Sequence, residues 1–316
     1  MKICIFNGFP FHYEMFGYII EYCEQKGISL DIYTEFENNV GWLRWYEKKY
    51  SNTITIYEHT KIDKAKYDYF FLTTDDDYKL KLNHSKNKVV CINHYYLMRR
   101  PEFEFHVGVR QFNDRLDLPF AMPCFNVINA NEKRKLLQNE TKINIVLLGR
   151  HNLPQNKTIL ESIFNNTSSI KFYVINRFVG YELLQNEDLD IVYYQNCSAF
   201  ELINILCKSH YVLNLSNHIP HMDKSMSGSI PLSFSCLCQL IIPTSWNEFY
   251  KFKTAITYDL SEQIILSSLI DGNTIQEERE AFISKRNNVF DNIIEKQQLR
   301  LMGGFNSIIQ KIMEFF

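Results

Sequence analysis

Short apolar runs alternate with helical or irregular segments along the first 109 residues. Their positions predict strands at residues 2–7, 29–34, 53–57, 67–73, 88–92 and 103–109. Between the first two runs, Met15, Tyr18, Ile19 and Tyr22 recur at helical spacing, and Gly27 follows as a helix C-cap. Strands that are apolar throughout and alternate with helices are typical of a parallel sheet covered on both faces. The pattern predicts a doubly wound α/β domain.

The alternation breaks between residues 118 and 141 and then restarts. Pro119, Pro123 and the charged stretch from Asn129 to Glu140 predict a linker there. A second series of apolar runs predicts strands at residues 143–148, 170–175, 191–194, 211–215, 239–242 and 254–258, with helices at 157–164 and 199–207. We therefore expect a second doubly wound sheet, followed from residue 261 by helices.

The end of the chain carries an apolar stripe at the spacing of one helical face, which must be buried. Its members are Phe305, Ile308, Ile309, Ile312, Met313 and Phe316. Gly303 and Gly304 precede the stripe and permit a sharp change of direction. We predict that a separate last helix begins after these two glycines.

The composition narrows the class of protein. With 46% hydrophobic residues among 316, the chain can bury cores for two domains, and a disordered protein is excluded. Lys plus Arg (34) nearly equal Asp plus Glu (36), so no nucleic-acid partner is expected. The apolar runs are too short for a transmembrane helix or a signal peptide. We expect a cytoplasmic protein in which the eight cysteines are packed thiols.

In open parallel sheets, ligands bind beyond the carboxyl ends of the strands. The loop after the first predicted strand carries His12 and Glu14 but lacks the three spaced glycines of a dinucleotide site, so no NAD or FAD cofactor is expected. His94 follows the strand that ends at Ile92. An imidazole there can contact a bound ligand; the alternative is a hydrogen-bonded structural histidine.

A turn in the second half combines features that suit a phosphate. Gly149 and Arg150 follow the predicted strand 143–148, and Lys157 lies shortly beyond them. The two cations bracket a turn before a predicted helix. The alternative is an exposed loop whose cations are merely solvated.

A small-residue segment further along has the same potential. Ser227, Gly228 and Ser229 precede Pro231, which is placed as in a first helical turn. N–H groups at a helix start and the helix dipole attract anions, so this segment is a candidate anion site.

Two other motifs have both a functional and a structural interpretation. Asp75, Asp76 and Asp77 follow the predicted strand 67–73, where carboxylates could hold Mg²⁺ or Mn²⁺ or could form a solvated turn. The aromatic and basic stretch 41–50 could lie on a membrane surface, stack against sugar rings, or pack its aromatics onto its own domain. We favour the solvated turn and the packed helix, and we expect no metal.

The chain resembles the GT-B glycosyltransferases in architecture, and the motifs of the resemblance lie in its second half. The strand leading to Gly149 and Arg150, together with residues 227–243, is similar to the parts of these enzymes that meet a donor diphosphate. Lys157 falls where many members place a phosphate-binding lysine. The resemblance implies two Rossmann-like domains that face a cleft.

The same resemblance implies a division of the chain into three parts. Residues 1–138 would form the acceptor domain and residues 139–300 the donor domain, with a helix at 301–316 that returns to the first domain. His12 lies where inverting members often place the base, with Glu14 as the neighbouring alternative. His94 would contact the sugar or the acceptor. Many retaining members carry two glutamates before the strand 239–242; Lys224 and Leu232 occupy those places here, so the stereochemical course stays open.

The sequence therefore predicts a metal-independent glycosyltransferase. It would move a sugar from a UDP- or GDP-sugar co-substrate to a glycan or other hydroxyl acceptor, and peripheral contact with a membrane is compatible with this activity. Ser227, Gly228 and Ser229 would bind the donor with Gly149, Arg150 and Lys157. A nucleotide-sugar epimerase of the same fold and a non-catalytic nucleotide- or sugar-binding protein are the alternatives.

Overall fold

The computed structural model describes most of the chain. The described residues are 1–9, 12–34, 41–50, 54–58, 62–74, 88–95, 101, 103–112, 115–149, 160, 164, 167–176, 189–215, 226–259 and 263–313. The description of residues 54, 57, 58, 297 and 300–313 covers the backbone alone.

A first parallel sheet occupies the N-terminal third of the chain. Its strands are β1 (Lys2–Asn7), β2 (Ser29–Thr34), β3 (Ile54–Glu58), β4 (Tyr69–Leu72), β5 (Val89–Asn93) and β6 (Phe105–Gly108). They lie in the order β3-β2-β1-β4-β5-β6 and pair in parallel throughout. Residues 3–6 of β1 are all buried, as a strand covered on both faces requires.

A second parallel sheet repeats this order. Its strands are β7 (Ile143–Leu148), β8 (Ile170–Asn176), β9 (Asp190–Gln195), β10 (Tyr211–Leu213), β11 (Gln239–Pro243) and β12 (Ile256–Tyr258). They lie in the order β12-β11-β10-β7-β8-β9. Both sheets reverse their winding beside their first strand, and such switch points are where ligands bind in this architecture. The predicted pair of doubly wound sheets is confirmed.

Helices cover the faces of the two sheets. They are α1 (Gly17–Lys26), α2 (Trp42–Lys49), α3 (Ala130–Leu137), α4 (Ala199–Cys207), α5 (Ser229–Ser235), α6 (Thr244–Tyr250) and α7 (Gly272–Met313). The predicted helix 157–164 falls almost wholly outside the described residues; Phe164 forms an isolated bridge with Ile264. Among the helices of the described chain, none has the length and apolar run that a membrane span needs.

The charged stretch predicted as a linker contains helix α3. Asn129 caps this helix: its side chain accepts the N–H of Glu132, and the Glu132 carboxylate accepts the N–H of Asn129. Lys133 is buried, and its ammonium donates to the carbonyl of Leu206 at 2.7 Å. The charges of this stretch predicted an exposed linker, but a lysine can be buried when its ammonium is hydrogen-bonded. The sequence does not show which lysine this is.

The predicted break at Gly303 and Gly304 is wrong, because the backbone of α7 continues as a helix through both residues. A glycine costs a helix only about 1 kcal/mol relative to alanine, which a long helix tolerates. The apolar stripe at 305–316 falls where no side chains are described, so its contacts stay a prediction.

The middle of α7 contacts helix α1 and the first sheet. Phe290 lies edge-on to Tyr22 and Phe71, with ring centroids 5.1 and 5.0 Å away. The buried guanidinium of Arg286 donates to the carboxylate of Glu21 at 2.9 Å. All eight cysteines are free thiols, and seven of them are buried, as the sequence predicts.

Candidate functional site

A cavity of about 220 Å³ opens between the carboxyl edges of the two sheets. The second sheet contributes Gly149, Asn176 and Asn196, which follow or end strands β7, β8 and β9. The small-residue segment at the start of α5 forms another part of the wall. From the N-terminal part of the chain, Glu14 and Trp42 also line the cavity. Residues from both halves of the chain therefore build one site.

The segment that leads from His12 into α1 is held in place by its neighbours. The buried hydroxyl of Tyr46 accepts the N–H of Gly17 at 3.1 Å and donates to the carbonyl of Tyr13 at 3.0 Å. Burial raises the pKa of Tyr46 well above its usual value, so this hydroxyl keeps its proton. His12 adopts a left-handed backbone with φ of 65°, which non-glycine residues seldom occupy. The segment from His12 through the short 3₁₀ turn at Tyr13–Met15 is therefore anchored by Tyr46.

Three titratable side chains gather at this edge of the first sheet. Nδ1 of His12 lies 3.6 Å from Oε1 of Glu14, and the His12 and His94 rings lie 4.4 Å apart between centroids. Nε2 of His94 bonds the carbonyl of Thr73 at 2.6 Å. Burial, and then the neighbouring His12, lower the pKa of His94 to about 3, so His94 is neutral and its Nε2 carries the donated proton. Of these three side chains, Glu14 lines the cavity, and His12 lies beside it.

The opposite wall approaches Glu14 closely. A Cβ atom added to Gly228 would lie 3.3 Å from Oε1 of Glu14, so the two walls of the cleft nearly touch here. Ser227 and Ser229 share a hydrogen bond of 2.9 Å between their hydroxyls, and Asn214 donates to the Ser229 hydroxyl at 3.4 Å. The structure thus brings the predicted small-residue segment against the predicted acid–base loop.

Several predicted site residues lie outside the described part of the chain. Gly149 is described: its φ is 106°, and its N–H donates to the carbonyl of Ile175 at 3.2 Å. Arg150 and Lys157, which follow it, fall outside the described residues, as does the triple aspartate 75–77. Among the described residues, no group of His, Cys, Asp or Glu side chains could hold a metal ion.

Sequence reasoning missed part of this cavity. Asn176 and Asn196 could have been found, since they follow the same rule of strand ends that selected Gly149. Trp42 and Leu202 could not, because each belongs to a helix with an ordinary apolar face, and only the packing of the two halves brings them to one cavity. Cys197, also in the lining, lies just before the N-cap residue of α4.

The sequence matches no known family profile and no curated protein. Solved structures do match in fold. Anabaena HepE in complex with UDP superimposes with a TM-score of 0.53 at 11% identity, over 96% of this chain and 100% of HepE. AviGT4, a glycosyltransferase involved in avilamycin A biosynthesis, gives a TM-score of 0.53 at 8% identity, over 96% and 98% of the two chains.

A third similar structure is the UDP-GlcNAc 2-epimerase from Neisseria meningitidis bound to UDP-GlcNAc. Its TM-score is 0.51 at 12% identity, over 94% of this chain and 100% of the epimerase. At such identities the likeness concerns the fold alone. It confirms the predicted resemblance at that level: this chain has the GT-B fold.

Proposed function

We propose that this protein is a metal-independent glycosyltransferase that moves a sugar from a UDP- or GDP-sugar to a hydroxyl acceptor. The observation that carries the proposal is the cavity between the carboxyl edges of two Rossmann-ordered sheets, with Glu14 on one wall and Gly228 on the other. HepE, which shares the fold, has been crystallised with UDP and with UDP-glucose. AviGT4, which also shares it, is a glycosyltransferase.

The donor would bind to the second sheet. Ser227 and Ser229 would offer hydroxyls to a diphosphate, and Gly228 would leave room for it. Arg150 and Lys157, which follow β7 in the sequence, would add two cations. The positive charges of Arg150 and Lys157 would stabilise the departing diphosphate, which is the main catalytic effect we expect. Because these groups supply the charge that a metal ion supplies elsewhere, EDTA should leave donor affinity unchanged.

The acceptor would be activated from the first sheet. His12 has a side chain that is one-third exposed, and its Nδ1 faces the Glu14 carboxylate, so Nε2 is the nitrogen that would take the proton of the acceptor hydroxyl. As that proton arrives, the negative charge of Glu14 stabilises the imidazolium. His94, with its low pKa, stays neutral and does not compete for the proton.

A panel of nucleotide sugars tests the proposal. Thermal shift identifies a donor that raises Tm, and turnover is then followed with and without candidate acceptors. Transfer to a hydroxyl supports the proposal. A new sugar isomer without transfer identifies an epimerase, and binding without any turnover identifies a non-catalytic protein. A large loss of affinity in EDTA that Mg²⁺ or Mn²⁺ restores, and that Asp75→Ala mimics, would move the chemistry to the triple aspartate.

A further inference from the structure

Three thiols of the second half of the chain lie at the ends of helices α4 and α5. Cys207 is the last residue of α4, Cys236 directly follows α5, and Cys238 directly precedes β11. All three are buried and free, and none of them lines the cavity. Leu202 and Leu232, on the same two helices, do line it. The proposed roles leave these thiols unused, although they lie on helices that build the site.

A buried lysine holds the backbone beside two of the thiols. The ammonium of Lys133 donates to the carbonyl of Leu206, which directly precedes Cys207. The same ammonium donates to Sγ of Cys238 at 3.4 Å, and Cys238 donates its own S–H to the carbonyl of Leu206 at 3.0 Å. Burial raises the pKa of Cys238, so this residue stays a protonated thiol.

Two further cations lie on the side of Cys236. The buried guanidinium of Arg279 donates at 3.2 Å to the carbonyl of Ser235, which directly precedes Cys236. Lys49 of α2 donates to the carbonyl of Val127 at 3.3 Å, and Val127 donates its N–H to the same carbonyl of Ser235 at 3.2 Å. The thiols therefore lie in a region of positive charge, where the segment between the two sheets meets α5.

Cys207 and Cys236 are in contact and differ in acidity. The thiol of Cys236 donates a hydrogen bond to Sγ of Cys207. This bond lowers the pKa of Cys207 and the charges of Lys133 and Lys49 lower it further, while burial and Glu132 oppose them without reversing the direction. Burial raises the pKa of Cys236 well above its usual value, so Cys236 keeps its proton. Cys207 is thus the nucleophile of the pair.

Exposure distinguishes the two thiols in the same sense. Cys207 is 8% exposed and Cys236 is fully buried, so a small oxidant reaches Cys207 first. Redox-sensitive cysteines ionise readily and have a second thiol beside them. We propose that Cys207 and Cys236 form a redox-active dithiol, which a hydroperoxide converts into a disulfide between α4 and α5. This modification is separate from the proposed glycosyl transfer and does not depend on it.

The oxidation has two steps. The thiolate sulfur of Cys207 attacks an oxygen of the hydroperoxide; the O–O bond breaks, the sulfur becomes a sulfenic acid, and the leaving hydroxide or alkoxide takes up a proton. Sγ of Cys236 then attacks that sulfur, the S–S bond forms, and the departing hydroxide leaves as water with the proton of Cys236. The two thiols lose two electrons and two protons. The hydroperoxide is reduced to an alcohol and water, or to two waters when it is hydrogen peroxide.

The wild type tests the proposal without any substitution. Fully reduced protein is treated with a small excess of hydrogen peroxide and mapped by mass spectrometry under non-reducing conditions. We expect a disulfide between Cys207 and Cys236 that dithiothreitol removes, whereas Cys197, whose pKa is raised to about 11, stays a thiol. A pair that stays reduced, or a disulfide from Cys207 to Cys238, would overturn the proposal.

Two matched variants identify the second thiol. In Cys236→Ser the sulfenic acid of Cys207 lacks its partner, so it should persist and be trapped by dimedone. Cys238→Ser should form the disulfide as the wild type does. A disulfide to Cys207 in Cys236→Ser, or its loss in Cys238→Ser, would contradict the assignment of Cys236.

Lys133→Met tests the contribution of positive charge. This variant keeps a long side chain but removes the charge, so oxidation of Cys207 should slow by up to about tenfold, the effect of raising a thiol pKa by one. Lys135→Met, which changes an exposed lysine on the same helix, is the control. Equal rates in the wild type and both variants would contradict the activation of Cys207 by Lys133. Because no measurement uses a nucleotide, failure of the dithiol is distinguishable from failure of the proposed function.

Discussion

His12 is the side chain on which the proposed chemistry depends most. His12→Ala should lower transfer by about 10²- to 10⁴-fold, because the acceptor hydroxyl loses its base. Nucleotide affinity should not change, since a general base acts in the transition state. Transfer assays combined with UDP calorimetry separate the two effects. Unchanged transfer would give the role to Glu14, and Glu14→Gln then tests this.

Arg150 is expected to contribute to binding of the nucleotide diphosphate and not to proton transfer. Arg150→Ala should weaken binding of the nucleotide diphosphate by about 1.5 to 3 kcal/mol, or roughly ten- to a hundredfold, because a charge-assisted contact to phosphate is lost. Arg134→Ala, which removes an exposed arginine on α3, is the control in the same assay. Equal affinities of the wild type and Arg150→Ala would show that Arg150 does not contact the donor diphosphate.

Cys197 can report on occupancy of the cavity. It is the partly exposed cysteine, and burial together with the charge of Glu201 raises its pKa to about 11. Alkylation requires the thiolate, so its rate at Cys197 should rise about tenfold per pH unit between pH 7 and 9. Saturating UDP should slow it, as measured by mass spectrometry. A labelling rate that UDP leaves unchanged would place the nucleotide elsewhere.

At the scale of elements, helix α3 depends on a buried lysine. Lys133→Ala should lower the free energy of unfolding by about 2 to 4 kcal/mol, because it leaves a cavity and removes the hydrogen bond to Leu206. Lys133→Met should cost less, since it fills the space without burying a charge. Urea denaturation measures both variants, and exposed Lys135→Ala should stay within about 0.5 kcal/mol of the wild type. If the Ala and Met variants lose equal free energy of unfolding, the lost hydrogen bond, and not the cavity, accounts for the loss.

The sequence predicts the bounds of an element well where its own residues determine where it begins and ends. Strands β1, β2 and β7 begin and end at the predicted residues, because their apolar runs stop at glycine or polar residues. Strand β12 is shorter than predicted, since Glu278 accepts the N–H and hydroxyl of Thr254 and withdraws that residue from the sheet. Such contacts come from distant segments and leave no local pattern.

The candidate site divides in the same way. Glu14 and Gly228 were predicted from strand ends and from a small-residue turn, and each lies in the cavity lining. The aromatic stretch of α2 was predicted to pack on its own domain, and Tyr46 stacks on Phe16 with ring centroids 6.1 Å apart. The place of Trp42 in the cavity depends on how α2 meets α4. Asn129 and Glu132, three residues apart, are a local signal for the start of α3, but the charges around them favoured a linker.

At the scale of the whole molecule, Glu21 links three segments. Its Oε1 accepts the N–H of Asn126 at 3.0 Å and the side-chain amide of that residue, while its Oε2 accepts from the fully buried guanidinium of Arg286. Helix α1, the segment that crosses between the sheets, and helix α7 therefore meet at one carboxylate. Its removal should loosen the connection between the halves of the chain.

Glu21→Gln should lower the free energy of unfolding by about 3 to 5 kcal/mol, because it leaves the buried charge of Arg286 without its counter-ion. Asp291→Asn is the control: it removes the half-exposed ion pair with Lys26 on the same pair of helices and should cost about 1 kcal/mol or less. Urea denaturation of both variants checks the difference. Equal losses would show that burial does not strengthen the Glu21 pair.

The long reach of α7 has a consequence for biosynthesis. Arg286 follows Glu21 by 265 residues, and Ile294 follows Tyr69, whose hydroxyl donates to its carbonyl, by 225. At ribosomal rates these partners emerge on the order of tens of seconds apart. Until then, Tyr22 and Phe71 lack the aromatic ring that covers them in the finished protein. The half of the molecule that is made first is therefore completed last, and during translation its aromatic surface is open to chaperones.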